Sequence, residues 1–228
     1  MSGGVVVAID GPSGVGKSTT ARRLAARLGV PYLDTGAMYR AVALKCLEFG
    51  LHPDDGRAVE ALLEGLDLSL QPGPDGQASV RLEGQDVADR IRSPEVTDAS
   101  SRVSAHPAVR RRLVALQQAY AREHGGVVEG RDIGTRVFPD TPHKFFLDAD
   151  PEVRHRRRFD QLTAAGRAVS IEAVTEEIES RDFRDAHRED SPLQCDDSYH
   201  LVDTTGLSVD EVVAEMVAAI AARVPRGV

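Results

Sequence analysis

Short apolar runs alternate along this chain with longer stretches whose apolar residues recur every three or four positions. Residues 5–10, VVVAID, form an apolar run that ends on a carboxylate. The next segment, 17–28, places Leu24, Ala25 and Leu28 on one helical face, and Gly29 closes it. A second short run at 30–33 leads into AMYRAVALKCLEFG, a predicted helix with Met38, Val42, Leu44 and Leu47 as its buried positions. Between residues 62 and 96 the texture changes. Two alternating runs, 66–70 and 78–82, flank the turn Pro72-Gly73-Pro74-Asp75-Gly76 and predict a hairpin or small antiparallel sheet. Helical periodicity returns over 97–121, broken at Pro107, and an apolar run after Gly125-Gly126 ends at Glu129. Residues 144–147 predict another strand, 152–162 and 171–184 two helices joined by Ala164-Ala165-Gly166-Arg167, with Ser170 as a cap. A fifth strand is expected at 199–203, and Ser208 and Glu211 have capping-box spacing ahead of a last helix through Ala222. Five strands alternating with helices predict an α/β fold, a doubly wound parallel sheet. The core is expected to comprise 1–61 and 97–228, with 62–96 an inserted β-rich lobe.

Composition narrows the function. At 228 residues and 41% hydrophobic, the chain can bury a sizeable core, and no apolar run is long enough to cross a membrane. The opening MSGGVVVAID has no charged leader pattern, so a cytoplasmic protein is expected. A net charge of −8 argues against a surface that coats nucleic acid. Lysine occurs only at Lys17, Lys45 and Lys144, so basic charge is nearly all guanidinium, which grips phosphate in a bidentate fork. Asparagine is absent, which excludes the base-reading N-K-x-D of GTPases. Cys46 and Cys195 are too far apart to suggest a metal clip, and both are expected to be reduced.

The chemistry concentrates in the first strand-to-helix junction. Gly11-Pro12-Ser13-Gly14-Val15-Gly16-Lys17-Ser18 fills all four fixed positions of G-x-x-x-x-G-K-[ST], between a strand and a helix. Its glycines let backbone N–H groups turn inward on a polyphosphate, Lys17 can bridge the β- and γ-phosphates, and Ser18 can ligate Mg²⁺. Asp34, Thr35 and Arg40 fall at the carboxyl end of the second strand and on the helix after it, the edge where open α/β sheets bind ligands. Asp34 is equally well suited to capping that helix. Glu129 stands where phosphate-loop enzymes carry an acid that orients Mg²⁺, and Arg131 and Asp132 follow at the same edge. Arg110, Arg111 and Arg112 cannot all share one helical face, and spacing does not say which faces a ligand. The arginine-rich hairpin at about 150–190 reads as a mobile lid that brings guanidinium groups onto a transferring phosphoryl group.

Four ordered segments, Asp10-Gly-Pro-Ser-Gly-x-Gly-Lys-Ser, Leu33-Asp-Thr-Gly-Ala-Met-Tyr-Arg40, Glu129-Gly-Arg-Asp-Ile-Gly-Thr135 and Arg181-Asp-Phe-Arg-Asp185, together resemble bacterial cytidylate kinases. The resemblance spans nearly the whole chain. It implies the phosphate-loop NTPase fold, with the inserted lobe binding the nucleoside monophosphate, and Mg²⁺-assisted transfer of the γ-phosphoryl group of ATP to CMP or dCMP. Gly11, Pro12, Ser13, Gly14, Val15, Gly16, Lys17, Ser18 and Thr19 would hold ATP, with Ser18 and Glu129 on the metal. Thr35, Arg40 and Arg131 would hold the acceptor's phosphate, with Asp34 also among the substrate-binding residues, while Ser101, Arg110 and Asp132 would read the cytosine edge. Arg181 and Asp185 would contact the sugar. Arg157 or Arg158, with Arg188, would belong to the lid, so that Lys17, Arg131, Arg157 and Arg188 carry the catalytic charge. A monomer is expected, acting on small molecules. The alternatives are a kinase of another small acceptor, such as UMP or a small alcohol, and a nucleotide-dependent switch.

Overall fold

The computed structural model describes residues 4–73 and 75–223; Pro74 of the predicted turn and the first three residues lie outside them. In chain order the elements are β1 (Val6–Asp10), α1 (Lys17–Leu28), β2 (Tyr32–Asp34), α2 (Thr35–Glu48), α3 (Gly56–Glu64), β3 (Leu68–Pro72), β4 (Ala78–Leu82) and β5 (Gln85–Asp86). There follow α4 (Pro94–Val103), α5 (Pro107–His124), β6 (Gly126–Glu129), β7 (His143–Asp148), α6 (Pro151–Ala164), α7 (Ile171–His187), β8 (His200–Asp203) and α8 (Val209–Arg223). Five strands form one parallel sheet in the order β2-β6-β1-β7-β8, and β3-β4-β5 form a separate antiparallel sheet.

Alternation along β1 explains the two layers. Val7 and Ile9 point to one face, where they pack with Leu24 of α1 and Met216 of α8. Ala8 points to the other, joining Leu33, Val128 and the buried sides of α2, α4 and α5. Leu68, Val80 and Leu82 of the antiparallel sheet belong to that second cluster. The α6/α7 hairpin has a small core of its own, Leu162, Val174 and Ile178.

Local signals set the element ends. Gly29 closes α1 in the left-handed conformation at φ 66°. Proline occupies the first turn of α4 and α5. The capping box ahead of α8 is present: Glu211 N–H donates to Ser208 Oγ at 3.3 Å, and Ser208 N–H to Glu211 Oε2 at 2.8 Å. Two expectations need correction. Helix α3 lies where the sequence predicts no element; it is nine residues long, opens on a glycine and buries only Val59 and Leu63, too short a stripe for periodicity to register. Leu47, expected inside, is exposed, because the buried stripe of α2 runs through Met38, Ala41, Val42 and Cys46, on nearly the opposite side of the helix, about 160° round from it.

Asp10, at the end of β1, binds three distant parts of the chain together. Its carboxylate is wholly buried and accepts from the N–H groups of Ile133 (2.9 Å) and Gly134 (2.8 Å) and from the Tyr199 hydroxyl (2.7 Å). It thereby fixes the single π-type turn Ile133–Val137 after β6 against β1 and the start of β8. Burial pushes its carboxyl up to about 6, against the pull of the three donors. The folded state therefore holds this proton more tightly than the unfolded chain, and that advantage is lost as pH rises from about 4 to 6. Relative to Asp10→Asn, which has no titration there, the wild type should lose on the order of 3 kcal/mol of stability across that window. Urea melts of both proteins between pH 4 and 7 measure the difference; a difference that stays flat or grows contradicts it.

Candidate active site

Parallel register assembles the site at the carboxyl edge of the large sheet. Glu129 lies beside Asp34 on one side and Ile9 on the other, so two carboxylates stand side by side next to the point where β1 enters the glycine-rich loop. In that loop Gly11 has φ 147°, and a Cβ there would stand 2.1 Å from the Leu147 carbonyl oxygen of β7. Only glycine lets the strand turn this close to its neighbour. Gly16, at φ 93°, starts α1, which leaves the helix N-terminus facing the loop.

The charged groups of the loop are mutually adjusted. Lys17 is buried and its Nζ donates to Pro12 O at 2.5 Å. Burial, reinforced by the Arg131 cation, lowers its ammonium to about 7. Burial and the neighbouring Asp34 raise the Glu129 carboxyl, with Lys17 opposing, and the Tyr32 hydroxyl donates to it. Ser18 and Thr19 are exposed at the start of α1, and the Ser18 hydroxyl helps Lys17 and Tyr32 oppose the rise of the Glu129 carboxyl. Thr35 donates its hydroxyl proton to Glu129 O at 2.7 Å, and Asp34 both caps α2, through the Ala37 N–H at 3.1 Å, and pairs with Arg40 at 2.7 Å. Asp34 thus caps α2 with one carboxylate oxygen and holds Arg40 with the other.

A second group gathers arginines around two buried aspartates. Arg131 donates through Nε to Asp185 Oδ2 at 2.8 Å and through Nη2 to Ser13 Oγ at 3.1 Å. Asp132 pairs with Arg110 and, at 3.4 Å, with Arg188. Arg181 and Arg188 each approach Asp185 at 3.9 Å. Burial alone would push the Asp185 carboxyl up; Arg131, Arg181 and Arg188 outweigh it and hold it below the ordinary value. Among the three consecutive arginines, Arg110 turns inward, Arg111 stays exposed and Arg112 bonds Leu66 O at 2.5 Å. Ser101 is buried and accepts from Arg184 Nε at 3.0 Å.

The hairpin arginines part company. Arg157 is tied to the loop after β8, donating to Thr204 Oγ1 at 3.0 Å and Thr204 O at 2.6 Å. Arg158 faces Glu177 at 3.5 Å. Arg154, one turn earlier, reaches the phosphate loop, donating to Ser13 O at 3.0 Å and to Asp182, whose carboxylate accepts the Ser13 N–H at 2.9 Å. Sequence reasoning assigns no role to Asp10, Tyr32, Tyr199, Arg154 or Asp182. Asp10 and Asp182 stand inside the recognised motifs, a signal that was available; the two tyrosines carry none, because their partners are remote in sequence.

Among the described residues no cluster of three or more His, Cys, Asp or Glu side chains is arranged to hold a metal ion. No described helix is long and apolar enough to cross a membrane.

Comparison with known proteins bears on what this arrangement does. A cytidylate kinase family model matches residues 7–222. The cytidylate kinase of Corynebacterium glutamicum is 51% identical over 226 residues, covering 99% of this chain and 98% of that one. That of Methylococcus capsulatus is 46% identical over 208 residues, covering 91% and 93%. Among solved structures, an uncharacterised protein from Eubacterium ventriosum superposes with a TM-score of 0.54 at 15% identity, covering 96% of this chain and 99% of that one, a likeness of fold alone. With the phosphate loop, the paired arginines and near full-length matches in agreement, the chain belongs to the cytidylate kinase family.

Proposed function

We infer that the protein transfers the γ-phosphoryl group of ATP to CMP or dCMP, giving ADP and the corresponding diphosphate, and that the residues gathered at the sheet edge divide between donor and acceptor. The observation that carries this division is Arg131. One arm of its guanidinium bonds Ser13 in the phosphate loop and another bonds Asp185 on α7, so a single cation spans the two halves of the site. All three of its nitrogens are engaged, on Asp185, Gly130 O and Ser13 Oγ, which fixes the plane of a fork whose remaining N–H groups suit phosphoryl oxygens.

The acceptor's phosphate is already an oxyanion, so the reaction needs alignment and charge neutralisation rather than a strong base. Residues Gly11 to Thr19 hold the donor, with Lys17 on its phosphates. Thr35, Arg40 and Arg131 hold the acceptor's phosphate. Ser101, Arg110 and Asp132 read the base, Arg181 and Asp185 the sugar, and Arg188 joins the two aspartates. Arg157, in contrast, supports the loop after β8, which also bonds Val15 O through Thr204. Residues 62–96 serve as the acceptor lobe and about 150–190 as the lid.

The donor set also suits Mg²⁺. One hydroxyl and one buried carboxylate, without a protein cage, match an ion held mainly by phosphates and water. Ser18 and Glu129 would hold it, and it would supply charge neutralisation on the β- and γ-phosphates. We take the protein to be a cytoplasmic monomer; its two free thiols, Cys46 and Cys195, suit a reducing compartment.

Cytosine differs from uracil in carrying an exocyclic amine, for which Asp132 is a buried acceptor. A buried polar group without its partner costs about 1–3 kcal/mol, so Asp132→Ala should lower the preference for CMP over UMP by roughly ten- to hundredfold while ATP still binds. Steady-state kinetics with both acceptors measure this; an unchanged kcat/KM ratio overturns the base-reading role. Removal of divalent cation by EDTA should abolish ADP formation, and added Mg²⁺ should restore it; turnover that persists in EDTA removes Ser18 and Glu129 from a metal role.

A further inference from the structure

The phosphate loop is built to surround an anion, and in this structure the anion at the Ser13 N–H is a carboxylate of the protein itself. Asp182 Oδ1 accepts that N–H at 2.9 Å, and its other oxygen pairs with Arg154 of α6. Arg154 in turn donates to Ser13 O at 3.0 Å. The backbone of α6 is pressed onto the loop as well: a Cβ on Gly14 would lie 2.7 Å from Arg154 O. Asp182 also acts on the loop's cations, since its charge raises the proton affinity of both Lys17 and Arg131.

These partners are the ones a polyphosphate needs. Its oxygens require loop N–H groups, the Lys17 ammonium and a nearby guanidinium, and a carboxylate on the Ser13 N–H both blocks a donor and repels the incoming charge. We propose that Asp182 is a positioning residue: an internal anion that keeps the Ser13 amide and Arg154 in place and exchanges with the donor's polyphosphate. The exchange hands Arg154 from carboxylate to phosphate and so couples the α6/α7 hairpin to donor binding. This rests on the reading of the loop as the ATP site.

The test is equilibrium binding of ATP, and separately of inorganic tripolyphosphate, to the full-length protein without acceptor. A site occupied nine-tenths of the time by its own carboxylate binds about tenfold more weakly than it otherwise would. Asp182→Asn and Asp182→Ala should therefore bind both ligands roughly tenfold more tightly, with CMP affinity little changed. The KM for ATP should fall in parallel, while Arg154→Gln should lower kcat at saturating ATP without moving the KM for CMP. A folded Asp182→Asn protein that binds ATP no more tightly than the wild type overturns the proposal and leaves Asp182 as a structural ion pair, which would lower thermal stability only. Wild-type protein gives a readout independent of variant folding: tripolyphosphate should shift the Asp182 carboxyl resonance in carbon NMR, and an unmoved resonance also overturns the exchange. Lys17→Met separates the two readings, because full-affinity ATP binding by that variant contradicts the donor site itself, whatever Asp182 does.

Discussion

Pairing of buried guanidinium and carboxylate groups at one edge of a parallel sheet is the constraint on which this structure depends. Arg110, Asp132 and Asp185 are almost inaccessible, and the Arg188 side chain is only 7% exposed. Taking such ions out of water costs several kcal/mol each unless partners are held in good geometry, and removing one member strands a charge at a cost of about 3–5 kcal/mol. The arginines are therefore fixed in position by their aspartates. Cations held in this way need little reorganisation when charge moves between phosphates, which is the form of electrostatic assistance phosphoryl transfer requires.

The sheet supplies the positions. Register sets Asp34 against Glu129 and Glu129 against Ile9, and the close approach of Gly11 to β7 turns the chain into the loop. Asp10 then ties the segment after Asp132 back to β1, so the phosphate loop and Asp132 share one anchor. The α6/α7 hairpin has an apolar core of only three buried residues, against the large clusters that hold the rest together.

Much of this was legible in the sequence, because local rules wrote it. Short apolar runs and period-3.6 patterns located all five strands of the parallel sheet and most helices, and the glycine spacing of the phosphate loop reported backbone angles that only glycine adopts readily. Helix α3 escaped because two buried residues make no period. What spacing could not give was direction. Arg110 and Arg111 are neighbours, yet one lies in the site and the other in solvent, a choice made by Asp132 across 22 residues. Arg154 and Arg157 sit one turn apart on α6, and only the tertiary positions of Asp182 and Thr204 separate their roles. Tyr32 and Tyr199 orient buried carboxylates from 97 and 189 residues away, beyond any local signal.

The central claim is that this edge of the sheet is a phosphoryl-transfer site shaped for a cytidine monophosphate. It is tested most directly by measuring ADP production from ATP and Mg²⁺ with CMP, dCMP, UMP, AMP and GMP offered singly. The account predicts fast turnover with CMP and dCMP and weak turnover with the other three. Equal turnover with all five, or none with any, would contradict it.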